Sequence, residues 1–109
     1  MDIKVIETEE QFKEILDEKD VFILMKHSLT CPISSEAKKE YDNFSVETKL
    51  PLYILYVQEA RELSNIISNR YHIKHESPQA LLFSNKKVIW HDSHSRITRN
   101  QLKMQLENI

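Results

Sequence analysis

Val21-Phe22-Ile23-Leu24-Met25-Lys26-His27-Ser28-Leu29-Thr30-Cys31-Pro32-Ile33-Ser34 passes from an uninterrupted apolar run into a polar stretch that ends at the chain's only cysteine. Residues 21–25 are too few for a solitary helix and include aromatic and β-branched members. They read as a strand buried on both faces, the expected central strand of a sheet. Pro32 has no backbone N–H and a φ preset for a helix, so it fits the first helical position, with Cys31 as the N-cap. Beyond it Ile33, Ala37, Tyr41 and Phe44 recur at three- and four-residue steps, which predicts a helix to near residue 45. A thiol at such a junction meets the unpaired N–H groups and partial positive charge of the helix N-terminus, and both favour thiolate over thiol. Cys31 is thereby a candidate nucleophile. By residue type alone a lone cysteine fits an inert buried hydrophobe; Thr30 and Pro32 on either side favour the reactive reading.

Upstream, residues 3–6 form a strand candidate. Thr8 and Gln11 have capping-box spacing ahead of Phe12, Ile15 and Leu16, predicting a helix over 9–18. Downstream, residues 52–57 read as a second buried strand, and Leu63, Ile66, Ile67 and Tyr71 mark the inner face of a helix over 59–71. A loop holding Ser77-Pro78 follows. Strands over 80–83 and 88–90 come next, and their connection, Ser84-Asn85-Lys86-Lys87, suits only an antiparallel hairpin. Thr98 and Gln101 repeat the capping-box spacing before a last helix that presents Leu102, Leu106 and Ile109. The resulting order, β-α-β-α-β-α-β-β-α, is that of the thioredoxin-like fold: an α/β architecture whose central mixed sheet is flanked by helices on both faces.

A length of 109 residues, without linker, repeat or low-complexity tract, predicts one domain over 1–109. The net charge of -2 arises from 15 basic and 17 acidic residues that form no block of either sign. No electrostatic case for nucleic acid or an anionic membrane follows. The N-terminal residues lack a basic segment followed by an apolar one, and no stretch is long enough to span a bilayer, so a cytoplasmic protein is expected. One cysteine cannot form an internal disulfide, and any disulfide chemistry is intermolecular. Glycine is absent altogether, which removes Gly-rich phosphate cradles and dinucleotide fingerprints. Turns that need positive φ must use Asn instead, with Asn43, Asn69 and Asn85 as candidates.

Cys31 and Ser34 form a Cys-x-x-Ser unit in which Ser34 stands where a dithiol oxidoreductase carries its resolving cysteine. A hydroxyl hydrogen-bonds a thiolate but cannot displace a disulfide, so a mixed disulfide on Cys31 must await an external thiol. Lowering the thiol pKa raises the thiolate fraction while reducing its intrinsic nucleophilicity, and the same change makes the sulfur a better leaving group. The larger gain therefore comes when a small thiol strips the adduct from Cys31. Ser77-Pro78, just ahead of a strand, reads either as a cis peptide facing the cysteine or as an ordinary trans turn. His27, four residues before Cys31, reads either as an imidazolium that supports the thiolate or as a solvated loop residue. Lys26 and Lys74 have the same two readings, with the solvated surface lysine favoured. The histidines at 27, 72, 75, 91 and 94 have no structural-zinc spacing with the thiol, and no metal is expected.

Lys26 to Ser34, Val57 to Arg61, His75-Glu76-Ser77-Pro78-Gln79, Trp90-His91 and Ser93-His94 together resemble one family along the whole chain, the monothiol bacilliredoxins of the YtxJ type. Their marker, Thr-Cys-Pro-Ile-Ser, is matched by residues 30–34 without a change. The resemblance implies a thioredoxin-like fold and thiol-disulfide exchange in the bacillithiol system of Gram-positive bacteria. Cys31 is then nucleophile and carrier, Ser34 holds the resolving position with Thr30 and Pro32 beside the thiol, and Ser77, Pro78 and His27 lie on the substrate side. S-bacillithiolated client proteins are the implied partners and bacillithiol the co-substrate, with no tightly bound cofactor. At the hairpin this sequence departs from the Asp-Gly or similar pair common in the family and has Asn85-Lys86. Two other functions fit the same frame: an iron-sulfur or metal scaffold of the monothiol glutaredoxin kind, which Pro32 in place of glycine disfavours, and a non-enzymatic adaptor.

Overall fold

The computed structural model describes residues 2–109. In chain order it contains β1 (Ile3–Val5), α1 (Glu9–Glu18), β2 (Val21–His27), α2 (Pro32–Glu47), β3 (Leu52–Tyr56), α3 (Arg61–Tyr71), β4 (Gln79–Ser84), β5 (Lys87–Ser93), a 3-10 turn at His94–Arg96, and α4 (Arg99–Glu107). β2 is the middle strand of a five-stranded sheet of order β1-β3-β2-β4-β5. It runs parallel to β3 and antiparallel to β4, while β5 closes one edge as the second arm of a hairpin.

Alternation along β2 divides the interior in two, because successive side chains of a strand point to opposite faces. Phe22 and Leu24 pack with Phe12, Leu63, Ile67, Leu81 and Phe83 on the α1/α3 side. Ile23 and Met25 pack with Ala37, Tyr41, Phe44, Leu82 and Leu102 on the α2/α4 side. Within the second core the buried Tyr41 hydroxyl is shared between the carbonyls of Ile23 (3.1 Å) and Tyr53 (2.9 Å), so α2 is fastened to the backbone of both central strands. Its burial raises the phenol well above the ordinary value.

Several expectations from the sequence change here. β2 continues past Met25 through Lys26 and His27, whose backbones stay in register with Leu55 and Tyr56 of β3 while Lys26 also faces Gln79 of β4. The ladder satisfies backbone groups whatever the side chain, so the end of the apolar run did not end the strand. The β4 and β5 strands likewise extend to Ser84 and Lys87, leaving Asn85-Lys86 as a two-residue hairpin loop. Both loop residues have positive φ, 51° and 67°, the type I′ geometry that matches strand twist. Asn43 and Asn69 lie inside helices instead of turns. Their expected left-handed role falls to His72, which ends α3 at φ 55°, and to His94 at φ 57°. A bulge between Leu82 and Phe83 leaves the half-exposed Ile89 without a partner across the ladder.

Candidate active site

α2 begins where the sequence places it. Cys31 is the N-cap at φ -99° and ψ 121°, with Pro32 at the first helical position. The Ser35 N–H donates to the Cys31 carbonyl at 3.1 Å and closes the first turn. Since Pro32 has no N–H, the first free amides belong to Ile33 and Ser34, the two positions that an N-cap side chain addresses. The half-buried sulfur makes no cap hydrogen bond of regular geometry, yet its surroundings hold the thiol below its ordinary pKa. The Ser34 N–H contributes most, burial opposes it, and the Ile33 N–H and Ser34 hydroxyl add to the lowering.

Ser34 is fully buried, and its hydroxyl oxygen accepts a hydrogen bond from the Ser28 N–H at 3.2 Å. It therefore joins the start of α2 to the segment leaving β2, besides standing one turn from the thiol. A second clamp on that segment was not read from the sequence. The Gln58 carboxamide, just after β3, accepts from the Leu29 N–H (3.1 Å) and donates to the hydroxyls of Ser28 (2.8 Å) and Thr30 (3.4 Å). One side chain thus holds all three residues that precede Cys31. A neutral hydrogen bond contributes about 1 kcal/mol net, or roughly a fivefold change in a local opening equilibrium. Gln58→Ala is expected to speed hydrogen exchange of the Leu29 amide about fivefold, and an unchanged rate would show that the clamp does not hold the loop.

His27 is buried, with its ring edge-on to Tyr56 at 5.5 Å. Its Nδ1 has no hydrogen-bond partner among the described residues. Burial, then the nearby Lys38 ammonium, lowers its pKa, against smaller opposing effects of the Ser34 backbone and Asp42. It is therefore not a solvated loop histidine, and its surroundings disfavour the imidazolium. Lys26 departs further from expectation: it is fully buried on the α1/α3 side, whereas Lys74 is exposed as expected.

The Ser77-Pro78 peptide is cis. Lys26 and Gln79 are the last paired residues of β2 and β4, so Pro78 and Ser77 continue beyond β4 at the end of the sheet where β2 gives way to Ser28, Leu29 and Thr30. The Pro78 carbonyl accepts from the His94 N–H at 3.0 Å, and the Ser77 hydroxyl is buried without a partner among the described residues. Thr30, Cys31, Pro32 and Ser34 are thus one unit at the start of α2, while Ser77, Pro78 and His27 are gathered at the adjoining ends of β4 and β2. The histidines do not converge: no group of three His, Cys, Asp or Glu side chains able to hold a metal ion occurs among the described residues.

The model of the monothiol bacilliredoxin BrxC family matches residues 4–102. A solved structure described as having a thioredoxin fold is 34% identical over 94% of this chain and 91% of its own, with a TM-score of 0.90. A mutant thioredoxin from Halobacterium salinarum NRC-1 is 13% identical, covers 98% of this chain and 89% of its own, and has a TM-score of 0.80. Thioredoxin from Trypanosoma brucei brucei, also 13% identical over 98% and 89%, reaches 0.79; at such identities the likeness concerns the fold alone. With its single thiol at the head of α2, the chain is a thioredoxin-fold thiol-disulfide oxidoreductase and belongs to the monothiol bacilliredoxin BrxC family.

Proposed function

We propose that this protein removes bacillithiol from S-bacillithiolated proteins through a mixed disulfide on Cys31. The observation that carries the reading is a half-buried thiol, lowered in pKa by the first amides of α2, whose would-be resolving position is a buried serine. In the first step the Cys31 thiolate attacks the bacillithiol sulfur of the client's mixed disulfide. A sulfur-sulfur bond forms to Cys31, the old one breaks, and the client cysteine leaves as a thiolate that takes up a proton. Ser34 cannot resolve the adduct. A second bacillithiol, as thiolate, attacks the bacillithiol sulfur on Cys31, releasing bacillithiol disulfide and the Cys31 thiolate. That second bacillithiol is the net reductant.

Half-buried Ser77, held by the buried Pro78 that follows it, is the part of this loop that meets the client chain, with buried His27 at the adjoining end of β2. The cytoplasm, where small thiols keep cysteines reduced, is the compartment that suits this exchange. Intact-mass spectrometry tests the scheme. Incubation with a bacillithiolated protein is expected to add one bacillithiol to Cys31 and restore the client thiol, and free bacillithiol is expected to remove the adduct. Absence of the adduct, or its persistence in excess bacillithiol, would overturn the reading.

A further inference from the structure

Lys26 is the only lysine, arginine or carboxylate that is buried among the described residues. No acidic side chain pairs with it there. Its Nζ instead donates to the Ser64 carbonyl (3.0 Å) and the Ser68 hydroxyl (2.9 Å) of α3, and lies 3.4 Å from Nδ1 of His75. The Ser64 hydroxyl lies 3.1 Å from the same ring nitrogen. Of the three hydrogens of the ammonium, two meet the Ser64 carbonyl and the Ser68 hydroxyl, and the third meets Nδ1 of His75 in the tautomer that leaves this nitrogen unprotonated. On the neighbouring strand, Gln79 faces Lys26 in register, and its Nε2 donates to the Lys74 carbonyl at 3.0 Å. One rung of the β2/β4 ladder therefore grips two consecutive residues, Lys74 and His75, of the segment that leads into Ser77-Pro78.

An apolar side chain would fill this place beside Leu24 and Leu81 without desolvating a charge, and burying an unpaired ion is costly unless its hydrogen bonds are met. Packing alone therefore does not account for a lysine here. We infer that Lys26 is a positioning residue: by tying His75 to α3 it fixes the approach of the Ser77-Pro78 loop and hence how a disulfide substrate is seated against Cys31. This rests on the reading of that loop as the substrate-facing surface. Lys26 acts through His75 and touches neither the reacting sulfurs nor the start of α2.

The experiment compares wild type with Lys26→Met and His75→Ala; the second removes an exposed side chain and so leaves the core intact. With a peptide cysteine held in a mixed disulfide to bacillithiol as substrate, both variants are expected to raise KM about tenfold while kcat stays within about twofold, the signature of lost substrate binding. Alkylation of Cys31 by iodoacetamide, which needs no docking, is expected to stay within about twofold of wild type. An unchanged KM in both variants overturns the inference. So does a parallel fall of kcat and alkylation, which would mean that the cluster acts on the thiol or on the fold. Wild type inactive toward the mixed disulfide would instead refute the proposed function, and hydrogen exchange then decides: about tenfold faster exchange at residues 75–77 in both variants supports the tie, and equal exchange overturns it.

Discussion

Cys31→Ser is expected to reduce disulfide exchange to the rate seen without protein. The attacking species is a thiolate, and what the fold contributes is a lowered thiol pKa from the first amides of α2. A serine hydroxyl at the same place meets the same amides but is not ionised at neutral pH, and an oxygen cannot take up and pass on a sulfur-borne adduct. No second cysteine exists to take over. The check is transfer of the small thiol from a mixed-disulfide protein, with circular dichroism to show that the fold is kept. Residual turnover above the protein-free control would mean that the reaction does not pass through this sulfur, and retained cellular function would favour an adaptor.

The second large effect is on stability, and it is a gain. Burial lowers the Lys26 pKa from 10.5 to about 8. At 1.36 kcal/mol per unit, the folded state therefore carries a charging penalty of about 3 kcal/mol at neutral pH. Lys26→Met removes that penalty and leaves Ser68 and His75 partly open to solvent, so the variant is expected to be more stable than wild type by about 3 kcal/mol at pH 7. For a domain of this size that corresponds to a rise in Tm on the order of 10 °C. The pH dependence identifies the cause. Between pH 8 and 10.5 the unfolded wild type binds the lysine proton while the folded one has begun to release it, so wild-type stability rises across that window. The advantage of the variant should be full below pH 8, shrink between pH 8 and 10.5, and be gone above 10.5. A variant less stable than wild type at pH 7, or an advantage independent of pH, would show that the buried ammonium is not penalised.

Such a variant would be sturdier and, with the ammonium's hold on His75 gone, worse at seating its substrate. A stabilising substitution that weakens function is a known pattern where a protein retains an unfavourable group for its activity.

The chain made its frame legible because local chemistry and tertiary structure agree. Thr8 and Gln11 form the reciprocal capping box at the start of α1 that their spacing predicts, and Pro32 sits at the first position of α2. The hairpin was legible from its short connection, although its left-handed residues could be assigned only in part. Asn85 behaves as expected, and His72 and His94 belong to a residue type enriched in the left-handed region, but Lys86 takes a conformation that its type does not favour. In a chain without glycine those positions are imposed by the elements on either side.

The site was legible where its members are neighbours in sequence and obscure where they are not. Cys31, Pro32 and Ser34 lie within one helical turn, so spacing is enough to place them. Gln58 reaches back some thirty residues to hold Ser28, Leu29 and Thr30, and no pattern around it announces that contact. Lys26 read as a surface residue because lysine usually is one. Its acceptors come from α3 and from His75, and they exist only once the fold has formed.

Ser34 also bears on how the single-thiol chemistry is maintained. The oxygen of this fully buried residue is the acceptor that anchors the partly buried Ser28 amide, and sulfur is a weak acceptor. A second thiol at this position would weaken that anchor and leave the Gln58 carboxamide alone to hold the loop in front of the first, so gaining a resolving group would loosen the setting of the nucleophile. Dependence on an outside thiol is in that sense written into a structural hydrogen bond.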